Sequence, residues 1–223
     1  MAGRFAFAAR SMFRRYGRAM VRPIYRQQYH PLKGGRASKE LVEALQWWAE
    51  VMELDISERF ELDAKVRPHV QLLSDAAGNN GRLAAVLIDE HGVAWHTAMD
   101  TPAEWAAWFV ERTDKQILGL ELLSVILGLE TFRKQIEDKN ITIYTDNTGT
   151  ESILIRGSAK SPDHNVIAHL FWKRAAEDRL GVWVSRVGTD DNIADGPTRW
   201  WNIALDWISS KLCKAKLPKG GRL

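Results

Sequence analysis

A single cysteine, Cys213, stands in 223 residues. One thiol excludes an intrachain disulfide framework and a cysteine zinc cluster, and it fits a reducing compartment. The six histidines are not clustered, so a nitrogen-rich metal site is not indicated either. No uninterrupted apolar run approaches the roughly 20 residues of a membrane span. Acid is missing from two regions. Residues 1–38 hold nine basic residues and no carboxylate, and residues 211–223 hold five and none, leaving the body with 17 basic against 28 acidic residues. A basic arm and tail flanking an acidic body suggest a polyanion gripped around a carboxylate-rich site. A solvated arm would have the same composition, and an Arg-rich, acid-free start also fits a mitochondrial transit peptide.

What is present is otherwise ordinary for a globular chain, with 45% apolar and 26% charged residues. Ten tryptophans are the exception and point to aromatic surfaces as well as core. In the arm, Phe5, Phe7, Met12, Phe13, Tyr16, Met20, Val21, Ile24 and Tyr25 interleave with arginines at helical spacing, which predicts short amphipathic helices. Pro23 and Pro31-Leu-Lys-Gly-Gly35 are expected to break the pattern. Ser38 reads as the N-cap of a helix to about Leu54, and residues 55–68 as a linker.

From His69 the texture changes. Strands are predicted at 70–75, 82–89 and 93–99, joined by tight turns, with another at 140–145 and a fifth at 181–187. Helices are predicted at 103–111, 115–136, 147–156 and 163–179, with a last one from Ile193 through Trp207. Three hairpin-linked strands followed by helix-connected ones give an α/β domain: a mixed five-stranded sheet flanked by helices, preceded by a helical segment. The expected divisions are a basic helical segment at 1–68, the sheet domain at 69–212 and a basic tail at 213–223.

The stretch ILGLELLSVILGL (117–129) sets one carboxylate, Glu121, among leucines and isoleucines. Burying an unpaired carboxylate is costly enough that the group normally protonates. Asp75 ends the first predicted strand, Asp146 follows the fourth, and Asp195 opens the last helix. Glu121 lies on the crossover helix, on a face that can pack against the sheet. Taken singly, an aspartate after a strand is more often a turn former or cap. Together, oxygen-only donors at these junctions point to a hard cation, Mg²⁺ or Mn²⁺, which would compensate Glu121. Asp190 and Asp191 rival Asp195 as fourth donor.

The segments Leu-Leu-Ser-Asp75-Ala-Ala-Gly, Gly119-Leu-Glu121-Leu-Leu-Ser-Val, Ile143-Tyr-Thr-Asp146-Asn and Asn192-Ile-Ala-Asp195-Gly-Pro-Thr-Arg resemble the ribonuclease H superfamily in its reverse-transcriptase-linked branch. The region before them, with Gly17-Arg-Ala-Met-Val-Arg-Pro-Ile-Tyr25 and Leu45-Gln-Trp-Trp48, resembles the thumb or connection segment of DIRS-like retroelements. The resemblance implies hydrolysis of the RNA strand of RNA–DNA hybrids with two Mg²⁺ ions. It makes Asp75 the bridging carboxylate, gives Glu121 and Asp146 the ion on the leaving-group side, and gives Asp195 the ion at the attacking water. It also favours Asp195 over Asp191. A reverse transcriptase polymerase domain becomes a possible partner, although the chain has no Asp-Asp polymerase motif in a strand hairpin and no room for fingers and palm.

Asn147, Thr148 and Asn79 in the Gly78–Gly81 turn are candidate contacts to the hybrid, where the minor groove presents the 2′-hydroxyl. Arg14, Arg18, Arg22 and Arg26 are candidate phosphate contacts, sequence-independent and weakened by salt. The Gly188–Asn192 loop has no histidine where many cellular members of the family carry a proton shuttle. His164 is a candidate substitute. Two other readings remain: a non-catalytic nucleic-acid-binding module, and a nuclease of the same superfamily acting on DNA. The compartment is not legible beyond an intracellular setting.

Overall fold

The computed structural model describes residues 2–12, 15–53, 67–78, 81–112, 116–199 and 213–214. Asn79, Arg14, most of the linker, and Trp200, Trp201, Trp207, Lys216, Lys219 and Arg222 lie outside the described residues. In chain order the first elements are α1 (Ala2–Ser11), α2 (Arg18–Tyr29), α3 (Lys39–Met52), β1 (His69–Ala77), β2 (Arg82–Ile88), β3 (Ala94–Asp100) and α4 (Ala103–Trp108). Then follow α5 (Ile117–Thr131), α6 (Arg133–Ile136), β4 (Asn140–Thr145), α7 (Thr148–Arg156), α8 (Pro162–Glu177), β5 (Gly181–Arg186), α9 (Asp195–Arg199) and the two-residue β6 (Cys213–Lys214). The chain divides into two compact units, Val66–Ile155 with Glu177–Leu223, and Met1–Lys65 with Arg156–Ala176.

The first unit is built on the mixed sheet. β1, β2 and β3 form an antiparallel meander, β4 pairs parallel with β1, and β5 parallel with β4. The order is β5-β4-β1-β2-β3, with β6 added beside β3. The second hairpin closes through Gly92 in the left-handed region, with Asp89 Oδ1 accepting from the N–H groups of His91 and Val93. β1 and β2 are buried along most of their length, and β2 accordingly reads as a near-continuous apolar run from Leu83 to Ile88. α5 packs across both, and its eleven consecutive buried residues explain the run around Glu121. Gly128 lets it come close. A Cβ there would stand 2.8 Å from Leu72 Cδ1 and 3.0 Å from Ala85 Cβ. On the opposite face, Ile193 and Ala194 cover Leu73 and Val86.

The second unit gathers α1, α2, α3 and α8. Ala2, Ala9, Val21, Ile24 and Trp48 form its core, and the Trp48 indole N–H donates to the Met20 carbonyl. Ser38 caps α3 by accepting from Leu41 N–H at 3.1 Å, as the sequence predicts. The His169 ring lies between Tyr16, stacked at 5.6 Å, and Trp47, edge-on at 5.1 Å, and burial holds its pKa down at about 4. The tryptophans divide as composition suggests: Trp48 and Trp172 are buried, while Trp108 and Trp183 are exposed.

Four expectations need correction. Pro23 does not break α2 but sits inside it. A proline cannot donate to the carbonyl one turn back, and Asn165 Nδ2 supplies that missing hydrogen to the Ala19 oxygen at 2.9 Å. The helix expected at 115–136 is two helices, because Phe132 leaves helical geometry (φ −101°, ψ 18°) while burying its ring completely. The step brings Arg133 to Asp178, 2.8 Å away. Asp75 does not end β1; the strand continues to Ala77, and Asp75 lies opposite Ala84. The last helix starts at Asp195 rather than Ile193, because Ile193 and Ala194 form a turn against the sheet.

Candidate metal centre

Backbone pairing brings the first two acids together. The parallel β1–β4 ladder runs from His69↔Asn140 to Leu73↔Tyr144. Carried two residues further, the same register sets Asp75 across from Asp146. Glu121 arrives from the first turns of α5. Gly119, beside it, lets that turn seat against Phe109, where a Cβ would stand 2.4 Å from the ring edge. Gly149 does the same at the start of α7, where a Cβ would meet Leu118 at 2.7 Å. The result is a cluster in which one oxygen from each of Asp75, Glu121 and Asp146 lies within 4.8 Å of the other two.

Three carboxylates at this spacing repel one another, and two of them are removed from water. Burial, then the charges of Asp75 and Asp146, push the Glu121 pKa up to about 9. Asp75 is raised chiefly by burial, with Asp195 and Asp146 adding to it, while the Thr198 hydroxyl opposes. Glu121 Oε2 is buried without a hydrogen-bond partner, and the Ala76 backbone N–H favours the ionised form without offsetting burial and the neighbouring charges. A buried carboxylate grouped with two others, one of its oxygens orphaned, fits a hard divalent cation, which takes oxygen donors and supplies the missing positive charge. Glu121 is thus answered in structural terms: its surroundings tolerate it either protonated or facing a cation.

Asp195 lies outside that trio but close enough for its charge to raise Asp75. Its position depends on two residues that sequence reading left without roles. Asn192 is buried and donates from Nδ2 to the Ser74 carbonyl at 3.0 Å, pinning the segment beside Asp75. Its backbone carbonyl accepts from Asp195 N–H. Thr198 Oγ1 lies 2.6 Å from Asp75 Oδ2 and 2.8 Å from the Asp195 carbonyl. Both residues stand in the quoted Asn192–Arg199 motif, so the signal was present. Asp190 and Asp191 form an exposed 3-10 turn ahead of it.

The other candidates are placed as follows. Asn147 caps α7, its Oδ1 accepting from Gly149 and Thr150 N–H at 2.9 and 3.1 Å. Thr148 is exposed at the first position of that helix. His164 is buried in α8 and belongs to the other unit, as do Arg18, Arg22 and Arg26 on α2.

No protein-family model matches the chain, and no curated protein matches it. Among solved structures it is similar to ribonuclease H1 from the halophilic archaeon Halobacterium salinarum, at 17% identity over 57% of this chain and 90% of that one, TM-score 0.38. It is also similar to the N-terminal ribonuclease H domain of a Mycobacterium tuberculosis protein, solved fused to maltose-binding protein, at 15% identity over 64% and 99%, TM-score 0.41. A third is the prototype foamy virus protease–reverse transcriptase, at 14% identity, TM-score 0.35, covering 82% of this chain and 24% of that protein's length.

Proposed function

We propose that the chain is a two-metal-dependent endonuclease that hydrolyses the RNA strand of RNA–DNA hybrids, and that it derives from the C-terminal part of a retroelement reverse transcriptase of the DIRS-like kind. One observation carries the nuclease reading: Asp75, Glu121 and Asp146 offer oxygens within 4.8 Å of one another, and one oxygen of the buried Glu121 has no partner of its own. Mg²⁺ is the natural occupant of such a set, with Mn²⁺ a close substitute.

When bound, two such ions lower the pKa of an attacking water and neutralise charge on the departing 3′-oxygen. The chain's own work is to hold and orient. Asp75, Glu121 and Asp146 would hold one ion, and Asp75 with Asp195 would hold the other. Thr198 fixes the rotamer of Asp75 by hydrogen bonding, and Asn192 fixes the backbone that presents Asp195. The retroelement origin rests on the resemblance of the Asn192–Arg199 segment to the ending of retroelement ribonuclease H domains. Asn147 and Thr148, at the start of α7 directly after Asp146, are proposed to meet the sugar edge of the hybrid.

Labelled RNA–DNA hybrid, DNA duplex and DNA junction, incubated with Mg²⁺, test the reading. Hybrid cleavage that disappears in both Asp75→Asn and Asp146→Asn is the expected result. Binding without cleavage would reduce the chain to a nucleic-acid-binding module, and junction-only cleavage would make it a DNA nuclease.

A further inference from the structure

The second unit contains a cleft of about 730 Å³ whose lining includes Arg10, Arg18, Arg22, Arg26, Arg156 and Lys160 and, among the described residues, no acidic one. The cations come from three segments, α1, α2 and the end of α7 with the turn after it, so the site is a property of the fold rather than of a basic arm alone. Arg18, Arg22 and Arg26 recur every fourth residue and share one helix face. Two of them fasten the other wall: Arg18 Nη1 donates to the Arg156 carbonyl at 3.4 Å and Arg26 Nη2 to the Lys160 carbonyl at 3.0 Å. Gly157 permits the approach, being left-handed (φ 70°) and so close to the arm that a Cβ would stand 2.7 Å from Arg15 Cβ. With these two guanidiniums anchored on carbonyls, like charges remain crowded. Burial, Arg156 and Arg26 together lower the Arg22 pKa. Such crowding favours an anion in the cleft.

The lining is not only cationic. Tyr25 and Tyr29, also every fourth residue along α2, stack at 6.2 Å with planes 7° apart, and Tyr29 is 67% exposed. A cationic wall beside an exposed aromatic face is the combination that binds single-stranded nucleic acid, phosphates on the first and bases on the second. The volume suits one or two nucleotides and is too small to seat a duplex.

We infer that this cleft is a single-strand-binding site, in which Arg22, Arg156 and Lys160 contact consecutive phosphates and Tyr29 stacks a base. It shares no residue with the acidic trio and does not require that trio to be catalytic.

The test uses the full chain carrying Asp75→Asn, in chelator, so that cleavage plays no part. Fluorescence anisotropy with a short labelled oligothymidylate and with a blunt hairpin duplex of similar charge reads binding. The single strand is expected to bind the tighter, with Arg22→Gln and Lys160→Gln each weakening it roughly five- to tenfold and lowering the salt slope by about 0.7 per lost phosphate contact. Tyr29→Ala is expected to weaken the single strand about tenfold with no change in salt slope, and Tyr29→Phe to restore it. Thermal melts of each variant exclude unfolding as the cause. Tighter duplex binding, or single-strand affinity unchanged in both Lys160→Gln and Tyr29→Ala, would overturn the inference.

Discussion

The hydroxyl of Thr198 lies 2.6 Å from Oδ2 of Asp75, joining positions 123 residues apart. It favours ionised Asp75 against the burial and like charges that raise its pKa. Thr198→Val removes that support, so cleavage is expected to fall about tenfold, the effect of roughly 1.4 kcal/mol from one hydrogen bond. The acidic limb of the pH–rate profile should move to higher pH, because Asp75 must then lose its proton against a greater penalty. Thr198→Ser should keep both rate and profile. A profile unmoved in Thr198→Val would show that the hydroxyl does not tune Asp75.

Glu121 makes stability depend on pH in a direction opposite to the usual carboxylate. Its folded-state pKa, about 9, stands above the ordinary value of 4.5. Between these values the folded state binds the extra proton, so its contribution is complete below pH 4.5 and is lost as pH rises through 9. In chelator, the melting temperature of the sheet unit is expected to fall steadily from pH 5 to pH 9. Millimolar Mn²⁺ should flatten that fall by stabilising the ionised form, and Glu121→Gln should flatten it without metal. Scanning calorimetry across the range reads all three; a flat wild-type profile in chelator would count against a buried, proton-holding Glu121.

Gly128 tests how closely α5 must approach the sheet. Alanine is the better helix former by up to about 1 kcal/mol, yet its Cβ would meet Leu72 Cδ1 at 2.8 Å and Ala85 Cβ at 3.0 Å. The overpacking should prevail, with Gly128→Ala destabilising by about 1–3 kcal/mol in urea melts. Mn²⁺ affinity should weaken too, since Glu121 rides on the same helix. A more stable Gly128→Ala would mean that helix propensity outweighs the contact.

Asn165 and Pro23 form a pair whose coupling can be measured directly. Asn165→Ala should cost about 1–2 kcal/mol, because the Ala19 carbonyl then has neither a side-chain donor nor the N–H that Pro23 lacks. Adding Pro23→Ala restores a backbone donor, so the double variant should recover about 1 kcal/mol. Additive effects in this cycle would remove the proposed substitution of one donor for the other.

Much of this was legible beforehand, and the gaps have physical causes. The mixed sheet followed from alternating strands and helix-length gaps, and β4 matches its predicted span of Asn140–Thr145. Glu121 stood out because an unpaired carboxylate inside an apolar run is costly, and Asp75 and Asp146 because with it they make an oxygen-only donor set. Thr198 and Asn192 lay within a recognised motif, but a hydroxyl or amide in a turn has many possible local partners, and spacing alone does not say which is reached. Pro23 misled because the donor that rescues α2 is 142 positions away in sequence. Arg156 and Lys160 were unreadable as partners of Arg18 and Arg26 for the same reason: only the folded chain brings them together.

The β1–β4 register gives the acidic pair an unusual kind of security. Its separation follows from the main-chain register that ends two residues earlier, at Leu73↔Tyr144, a pairing open to every residue type but proline. Exchanging either carboxylate for its isosteric amide therefore changes charge while leaving distance nearly constant. A single-residue deletion inside either strand would do the reverse, keeping both charges and turning one acid away from the other.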